Sequence, residues 1–335
     1  MNLTLSTINE NQNLIDYIYL LRILNFSKIG LMELFKNPEM TISSFKNLNK
    51  ERIQHFLLKG KQIKFDDYSK VNNVINFDFS AQEYLKIKEM VNWCAKKSIR
   101  IITGYSRNIP FIFFNIDQKY RDLVFIRGTI LNQDVKSYSI CGTRNPTEDA
   151  IKKTRLIAEY FAKKKYTLIN GFAKGIDIEG YIGASKVGGR YLGIIASGVE
   201  NIYPLENEKF ISKVIANGAF ISQRLLWKRV TKKTLQIRNR FSAFLSNGSI
   251  FIEGNYKSGT KWQYKFAREA NKPVFYLEPK DWSHENSYIP KMIKEQGGIE
   301  IKNDLSNLDE VNLILLKYYS KRVEELSENA RINRF

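Results

Sequence analysis

The sequence predicts an α/β fold: a doubly wound, mostly parallel sheet preceded by a small all-helical N-terminal module. Three observations predict it. From residue 137 to residue 276, strand-length apolar runs alternate with helix-length segments, as in a parallel sheet with crossover helices. The joints between these runs are short and rich in glycine, as at 142, 171, 175 and 188–189, where the chain must turn sharply. The first 75 residues show only helical spacing of apolar side chains.

Taken in order, Leu14, Tyr17, Ile18, Leu21 and Leu24 fall on one helical face. A turn over 25–30 separates them from a second helix carrying Leu31, Leu34 and Phe35, and 43–58 reads as a third. The polar run 66–76 marks the module boundary. Ser80 caps a helix through Trp93 to Lys97, with Glu83 at the capping-box position. Strands are expected over 99–103, 111–114 and 123–126. Then come strand 138–141, helix 147–165, strand 167–170, helix 176–187, strand 191–196 and helix 206–216. Strands 220–222, 249–253 and 273–276 follow, with helices over 239–245 and 259–270. The domain of this texture spans 80–300. After 301 there is one helix, 308–325, and a basic tail.

Charge is the outlier in the composition. Lys and Arg number 53 against 34 Asp and Glu, a formal net charge of +19. Such an excess favours polyanionic partners through long-range attraction and counterion release; a generally Lys- and Asn-rich proteome is the plainer alternative. Cys94 and Cys141 lie far apart in apolar contexts, which suits a reducing compartment and gives no metal knuckle. The N-terminal residues have no charged segment followed by an apolar run, and no apolar stretch approaches the roughly 20 residues of a membrane span. A cytoplasmic protein with no membrane association, no metal and no cofactor is expected.

In such a sheet, ligands bind beyond the carboxyl ends of the strands, where helix N-termini and backbone amides point. Three turns have suitable chemistry. In the first, Gly142 lets a phosphate approach the backbone, Thr143 adds a hydroxyl and Arg144 a forked cation. In the second, Gly171 and Gly175 flank Lys174 at a helix start. The third holds Lys257, Ser258 and Gly259. None matches the dinucleotide fingerprint or the P-loop, and glycine in a βα turn is commonly conformational only. Asp177 reads as a carboxylate complementing the helix dipole. With His55 and His284 the only histidines, and neither near these turns, a Ser–His–Asp device is hard to assemble and no catalytic residue is assigned.

From Lys209 to Ile252 the chain carries nine basic residues and no acidic one: Lys209, Lys213, Arg224, Lys228, Arg229, Lys232, Lys233, Arg238 and Arg240. A like-charge run is usually a solvated face. This one is interleaved with Trp227, Phe241 and Phe244. Basic groups with aromatics for stacking are what an unpaired nucleic acid needs, although the same aromatics read equally well as core.

These pieces resemble the DNA-processing protein A (Smf) family, and they come in that family's order. Residues 141–144 look like its G-[ST]-R turn, and 170–177 (NGFAKGID) like its S-G-x-A-x-G-[IV]-D turn. Residues 198–204 with Asn207 are similar to G-x-x-x-x-Y-P-x-x-N, and 218–222 to the G-x-x-x-S-E strand end. Arg238-Asn239-Arg240 matches R-N-R, Glu253 with Ser258-Gly259 matches E-x-x-x-x-S-G, and LVFIRG at 123–128 is like the strand that introduces the domain. Residues 20–38 look like its helix-hairpin-helix or sterile-alpha-motif module. The resemblance covers about 20–300. It implies an extended Rossmann-like fold, a homodimer, binding of single-stranded DNA, and contact with the RecA recombinase during natural transformation. Arg144 and the glycines of the first turn would then hold phosphates together with Lys174, Asn207, Lys209, Arg238, Asn239, Arg240 and Lys257. Departures are Gln223 for Glu, Leu235-Gln236 for Phe-Pro, Gly180-Tyr181 for Ala-His, and Thr260-Lys261-Trp262 for small residues. The winged-helix tail of many members is missing.

The leading expectation is a single-stranded DNA binder and recombination mediator that is not an enzyme. The alternative is a Rossmann-like nucleotide-processing enzyme or nucleotide-ligand sensor, with Glu253 or Asp177 as its carboxylate. A third is an interaction protein whose N-terminal helices dock a partner.

Overall fold

The computed structural model describes residues 5–23, 28–48, 51–53, 55, 78–106, 108–114, 116 and 122–332. Two units emerge, one from Met1–Asn108 with Asp117–Val124, the other from Ile109–Ile116 with Phe125–Phe335.

In the first unit, α1 (Leu5–Ile23), α2 (Lys28–Leu34), α3 (Ile42–Lys46) and α4 (Ala81–Lys96) precede strand β1 (Ile99–Thr103). The helical spacing buries Tyr17, Tyr19, Phe35 and Phe45 completely. Two buried polar groups tie the helices together. The Asp16 carboxylate accepts from the Ile42 amide at 2.8 Å and from the Tyr84 hydroxyl at 2.5 Å. The Asn13 side chain donates to Met40 O at 3.0 Å. Buried polar atoms need such partners. Ser80 does cap α4, accepting from the Glu83 amide at 3.3 Å, while the Glu83 carboxylate turns to Lys86 at 3.3 Å. Residues 51–53 and 55 are helical. The single helix expected over 43–58 is interrupted, because α3 ends at Lys46 with Asn47 as its C-cap and 47–48 turn. Residues 28–30 of the expected turn already belong to α2; positions 25–27, 49–50, 54, 56–58 and the 66–76 boundary lie outside the described residues.

Strand β2 (Leu123–Gly128) starts in the first unit and continues into the second. The second unit then runs β3 (Ser137–Cys141), α5 (Glu148–Lys163), β4 (Thr167–Asn170), α6 (Ile176–Ser185), β5 (Tyr191–Ile194), α7 (Ile211–Ala216) and β6 (Gly218–Ser222). It continues with α8 (Lys232–Leu245), β7 (Ser249–Phe251), α9 (Thr260–Glu269), β8 (Val274–Leu277), α10 (Tyr288–Glu295), β9 (Ile299–Ile301) and α11 (Leu308–Ile332).

Within this unit the strand order is β2-β6-β5-β4-β3-β7-β8-β9. Every pairing from β6 to β9 is parallel, and only β2 runs against its neighbour, with Phe125 opposite Ser222. The chain builds outward from β3 on one side through β4 and β5, then returns past β3 to build β7, β8 and β9 on the other. That is the Rossmann order, with β6 and β2 added at one edge. Right-handed crossovers in opposite directions place α5 and α6 on one face and α9 and α10 on the other. Covered on both faces, β3, β4, β5, β7 and β8 are buried along their whole length, as a central parallel sheet must be.

Several elements differ from expectation, each for a local reason. Residues Phe111–Phe113 form a 3-10 turn after Pro110 instead of a strand; Ile112 and Phe113 are buried there, with the Phe113 ring 5.8 Å from Phe241. Helix α8 starts at Lys232, well before 239, because Thr231 and Thr234 cap each other's backbone at 3.2 and 2.8 Å, a box without the usual Glu. The helix expected over 206–216 is a 3-10 segment, Leu205–Phe210, followed by the short α7. Helix α10 and strand β9 were not expected. Pro290 sits in the first turn of α10, where proline is tolerated.

Helix α11 is bolted to the sheet unit by Arg322. Its buried guanidinium donates to Ile112 O and Asn247 Oδ1, each at 3.1 Å, and to Leu245 O. Beside it, half-buried Lys272 donates to the carbonyls of Ala243, Phe244 and Ser246, capping the C-terminus of α8.

Candidate functional site

Where the chain reverses direction at β3, the first turn must leave the sheet between the second and third. Backbone contacts show how closely it does so. The Thr143 amide donates to Glu253 O at 2.7 Å, and Thr143 O accepts from the Ile176 amide at 3.1 Å. Both main-chain groups of Thr143 are therefore committed to the protein, and its hydroxyl accepts from the Asn145 amide at 3.2 Å. Gly175 makes this approach possible. Its φ is +82°, and a Cβ there would lie 2.4 Å from Thr143 O. Gly142 likewise faces Ile176 and Glu253 O, at 2.7 and 2.9 Å from a built Cβ. A Cβ at Gly171 would strike the Arg238 guanidinium at 2.3 Å.

The second turn is held from inside. The Asp177 carboxylate accepts from the amides of Gly171 at 3.0 Å and Ala173 at 3.4 Å. Burial pushes this carboxyl up from its ordinary value, opposed by the Arg238 guanidinium and those two amides. Asn170 donates to Asp177 O at 2.9 Å and accepts from the Phe172 amide at 3.1 Å. Asn207, from the 3-10 segment after β5, donates to Phe172 O at 2.9 Å and is buried. Its side chain positions the turn. Arg238 of α8 donates to Gly171 O at 2.9 Å, and burial lowers its pKa against the pull of Asp177.

The product is a cleft of about 210 Å³ over the carboxyl ends of β3, β4 and β5. Its cations come from three separate elements: Arg144 from the first turn, Lys174 from the second and Arg238 from α8. Arg144 and Lys174 are exposed, Arg238 only partly. Glu206 is the acidic member of the lining, and Tyr203 and Leu235 supply apolar walls. Charge converging on a concave, low-dielectric surface is felt more strongly than the same charge on a flat one.

The structure thus brings Arg144, Lys174 and Arg238 together, with Gly142, Thr143, Gly171 and Gly175 framing them. It does not bring the others into the cleft. Arg240 lies 3.2 Å from Glu269 and against the Phe266 ring at 4.7 Å. Lys209 lies over the Phe210 ring at 5.2 Å. Asn239 faces the third turn, donating to Gly259 O at 3.3 Å. Lys257 is exposed beside Tyr256, and the Ser258 hydroxyl bonds to that of Thr260. Sequence reasoning missed Tyr203, Glu206 and Leu235 as lining residues. The Tyr-Pro motif was the available signal for the first.

The two carboxylates that could have served catalysis are both engaged. Asp177 holds the second turn, and Glu253 accepts from the Thr147 amide at 3.0 Å and its hydroxyl at 2.7 Å, fixing the start of α5.

Fold and site together define a Rossmann-like protein with a basic strand-end cleft. The family model described as DNA recombination-mediator protein A matches residues 87–308, and the chain belongs to that family. It is 31% identical over 143 residues to Protein Smf of Synechocystis sp., covering 43% of this chain and 36% of that protein. It is 29% identical over 196 residues to the DNA processing protein DprA of Bacillus subtilis, covering 58% and 65%. The matches therefore span less than two thirds of either relative. Among solved structures, DNA processing protein A from Streptococcus pneumoniae superposes with a TM-score of 0.59 at 16% identity, covering 90% of this chain and 95% of that one. The Helicobacter pylori protein gives 0.56 at 24% identity, covering 65% and 96%. Both share the fold. Among the described residues, no helix is long and apolar enough to cross a membrane.

Proposed function

We propose that this protein binds single-stranded DNA in the cleft over β3, β4 and β5 and mediates recombination. The observation that carries the reading is the convergence of Arg144, Lys174 and Arg238 from three elements onto one concavity. The cleft takes a flexible backbone more readily than a discrete metabolite, for its volume of about 210 Å³ falls below the ~300 Å³ at which small-molecule sites begin. Family membership supports the same role, and the Helicobacter pylori relative of like fold is described by its single-stranded DNA binding mode.

The first turn of α8 adds to the case. It holds Lys232 and Lys233 and no acidic residue, the reverse of what the helix dipole favours. Helices α5 and α6 obey that preference, with Glu148 and Asp149, and Asp177 and Glu179, in their first turns. Cations at an unfavourable position beside the cleft serve a polyanion better than they serve the fold.

The protein in this reading is a cytoplasmic homodimer, non-enzymatic, that hands unpaired DNA to a RecA-type recombinase in natural transformation. The test is a fluorescence-anisotropy titration of an unpaired oligonucleotide and its duplex across salt. Preference for the unpaired strand, with log affinity falling linearly in log salt, is expected. Equal or salt-independent binding to both would end the reading.

A further inference from the structure

Helix α9 and the turn before it carry a set of side chains that the cleft does not use. Tyr256 and Trp262 are 58% and 40% exposed, although large rings are ordinarily withdrawn from solvent. Cations interleave with them. Lys257 Nζ is 5.3 Å from the Tyr256 ring, and Lys261 Nζ bonds to Tyr256 O while lying 5.5 Å from the Tyr288 ring. Lys265 Nζ is 5.8 Å from the Trp262 ring. Trp262 stacks on Phe266 at 6.2 Å and 27°, and the Arg240 guanidinium lies 4.7 Å from the Phe266 ring. Glu269 is the acidic neighbour, 4.0 Å from Lys265 and 3.2 Å from Arg240.

We infer that this stripe is a second subsite, a stacking platform on which bases of the same unpaired strand lie once the strand leaves the cleft. The inference rests on the function proposed above and extends it to a surface outside the cleft. Consecutive residues of α8 connect the two places: Arg238 reaches the second turn at Gly171 O, and Asn239 reaches the third at Gly259 O. Chemistry selects the occupant. Protein-binding surfaces are depleted in lysine at their centres, whereas a strand of bases and phosphates needs flat rings with cations between them. The first turn of α9 contains Lys261 and no acidic residue, so the helix dipole adds to the positive field.

The test uses the full-length protein and three probes: unpaired oligonucleotides of about 6 and about 20 nucleotides, and an abasic strand of about 20 units. The Tyr256→Ala/Trp262→Ala double variant is expected to lose about tenfold in affinity for the longer oligonucleotide. The short oligonucleotide and the abasic strand should bind it as they bind wild type, and Trp262→Phe should recover most of the loss. Equal losses on the abasic strand would reassign the effect to charge and overturn the platform. So would no loss at all, or a change in oligomeric mass by light scattering that accounts for the loss. If wild type binds none of the probes, cleft and platform fall together. If wild type binds and only Arg144→Ala/Lys174→Ala weakens it, the platform alone falls.

Discussion

The Arg238 guanidinium donates to the carbonyl oxygen of Gly171 at 2.9 Å, and a Cβ at Gly171 would occupy the space that guanidinium fills. One residue is thereby both a cation of the cleft and a strut beneath it. Arg144 is exposed on the rim and carries no such duty. The two arginines should therefore separate on mutation. Arg144→Ala should weaken binding to unpaired DNA irrespective of sequence and reduce the salt slope by about 1, with stability unchanged within about 0.5 kcal/mol. Arg238→Ala should weaken binding and also destabilise the fold by roughly 1–3 kcal/mol, since it strips Gly171 O of its donor and removes the positive charge that offsets the burial of the Asp177 carboxylate. Urea denaturation beside anisotropy titration reads both quantities. Equal stability of the two variants would contradict the strut.

The glycines divide in the same way. Gly175 has φ +82° and a neighbouring backbone oxygen 2.4 Å from where a Cβ would stand. Gly175→Ala should cost at least about 2 kcal/mol through strain and displacement of the first turn. Gly259, the N-cap of α9, has φ −67° and nothing within 4 Å of a built Cβ. Gly259→Ala should change stability by less than about 0.5 kcal/mol. Thermal unfolding of the pair gives the comparison directly.

That contrast also marks what could be read from residue order. The alternation of apolar runs with glycine turns was enough to place β3, β4, β5 and β8 within a few residues, because fully buried parallel strands are short and continuously apolar. It was enough to place Arg144 and Lys174 at strand ends, where both line the cleft, since a cation there has few other places to point. It did not separate Arg238 from Arg240. Two residues apart on a helix they face different ways, and only the packed structure shows that Arg238 meets Gly171 whereas Arg240 meets Glu269. For Asn207, expected among the phosphate-binding residues, residue order was silent on packing for a related reason. A motif position says that a side chain is needed, and the hydrogen bond to Phe172 O says for what.

Asn207→Ala should accordingly behave as a positioning variant. Loss of a buried bond to the second turn should destabilise the protein by about 1–2 kcal/mol. It should also lower affinity by loosening Lys174, with the salt slope preserved because no phosphate contact is removed. A slope reduced as far as that of Arg144→Ala would show instead that Asn207 sits against the strand.

The last expectation sets binding against stability. Lys232 and Lys233 are exposed in the first turn of α8, where the helix dipole disfavours them. Replacing both with glutamate should raise stability by about 0.3–1 kcal/mol per residue at low salt, through favourable charge–dipole interaction. The same change places negative charge beside the cleft and should weaken unpaired-DNA binding steeply, most at low ionic strength where screening is least. A variant that melts higher and binds worse is the signature of residues kept for a polyanion at the expense of the helix. If Lys232→Glu/Lys233→Glu binds as wild type does, the basic run before α8 is only a solvated face, and the cleft must hold its strand with Arg144, Lys174 and Arg238 alone.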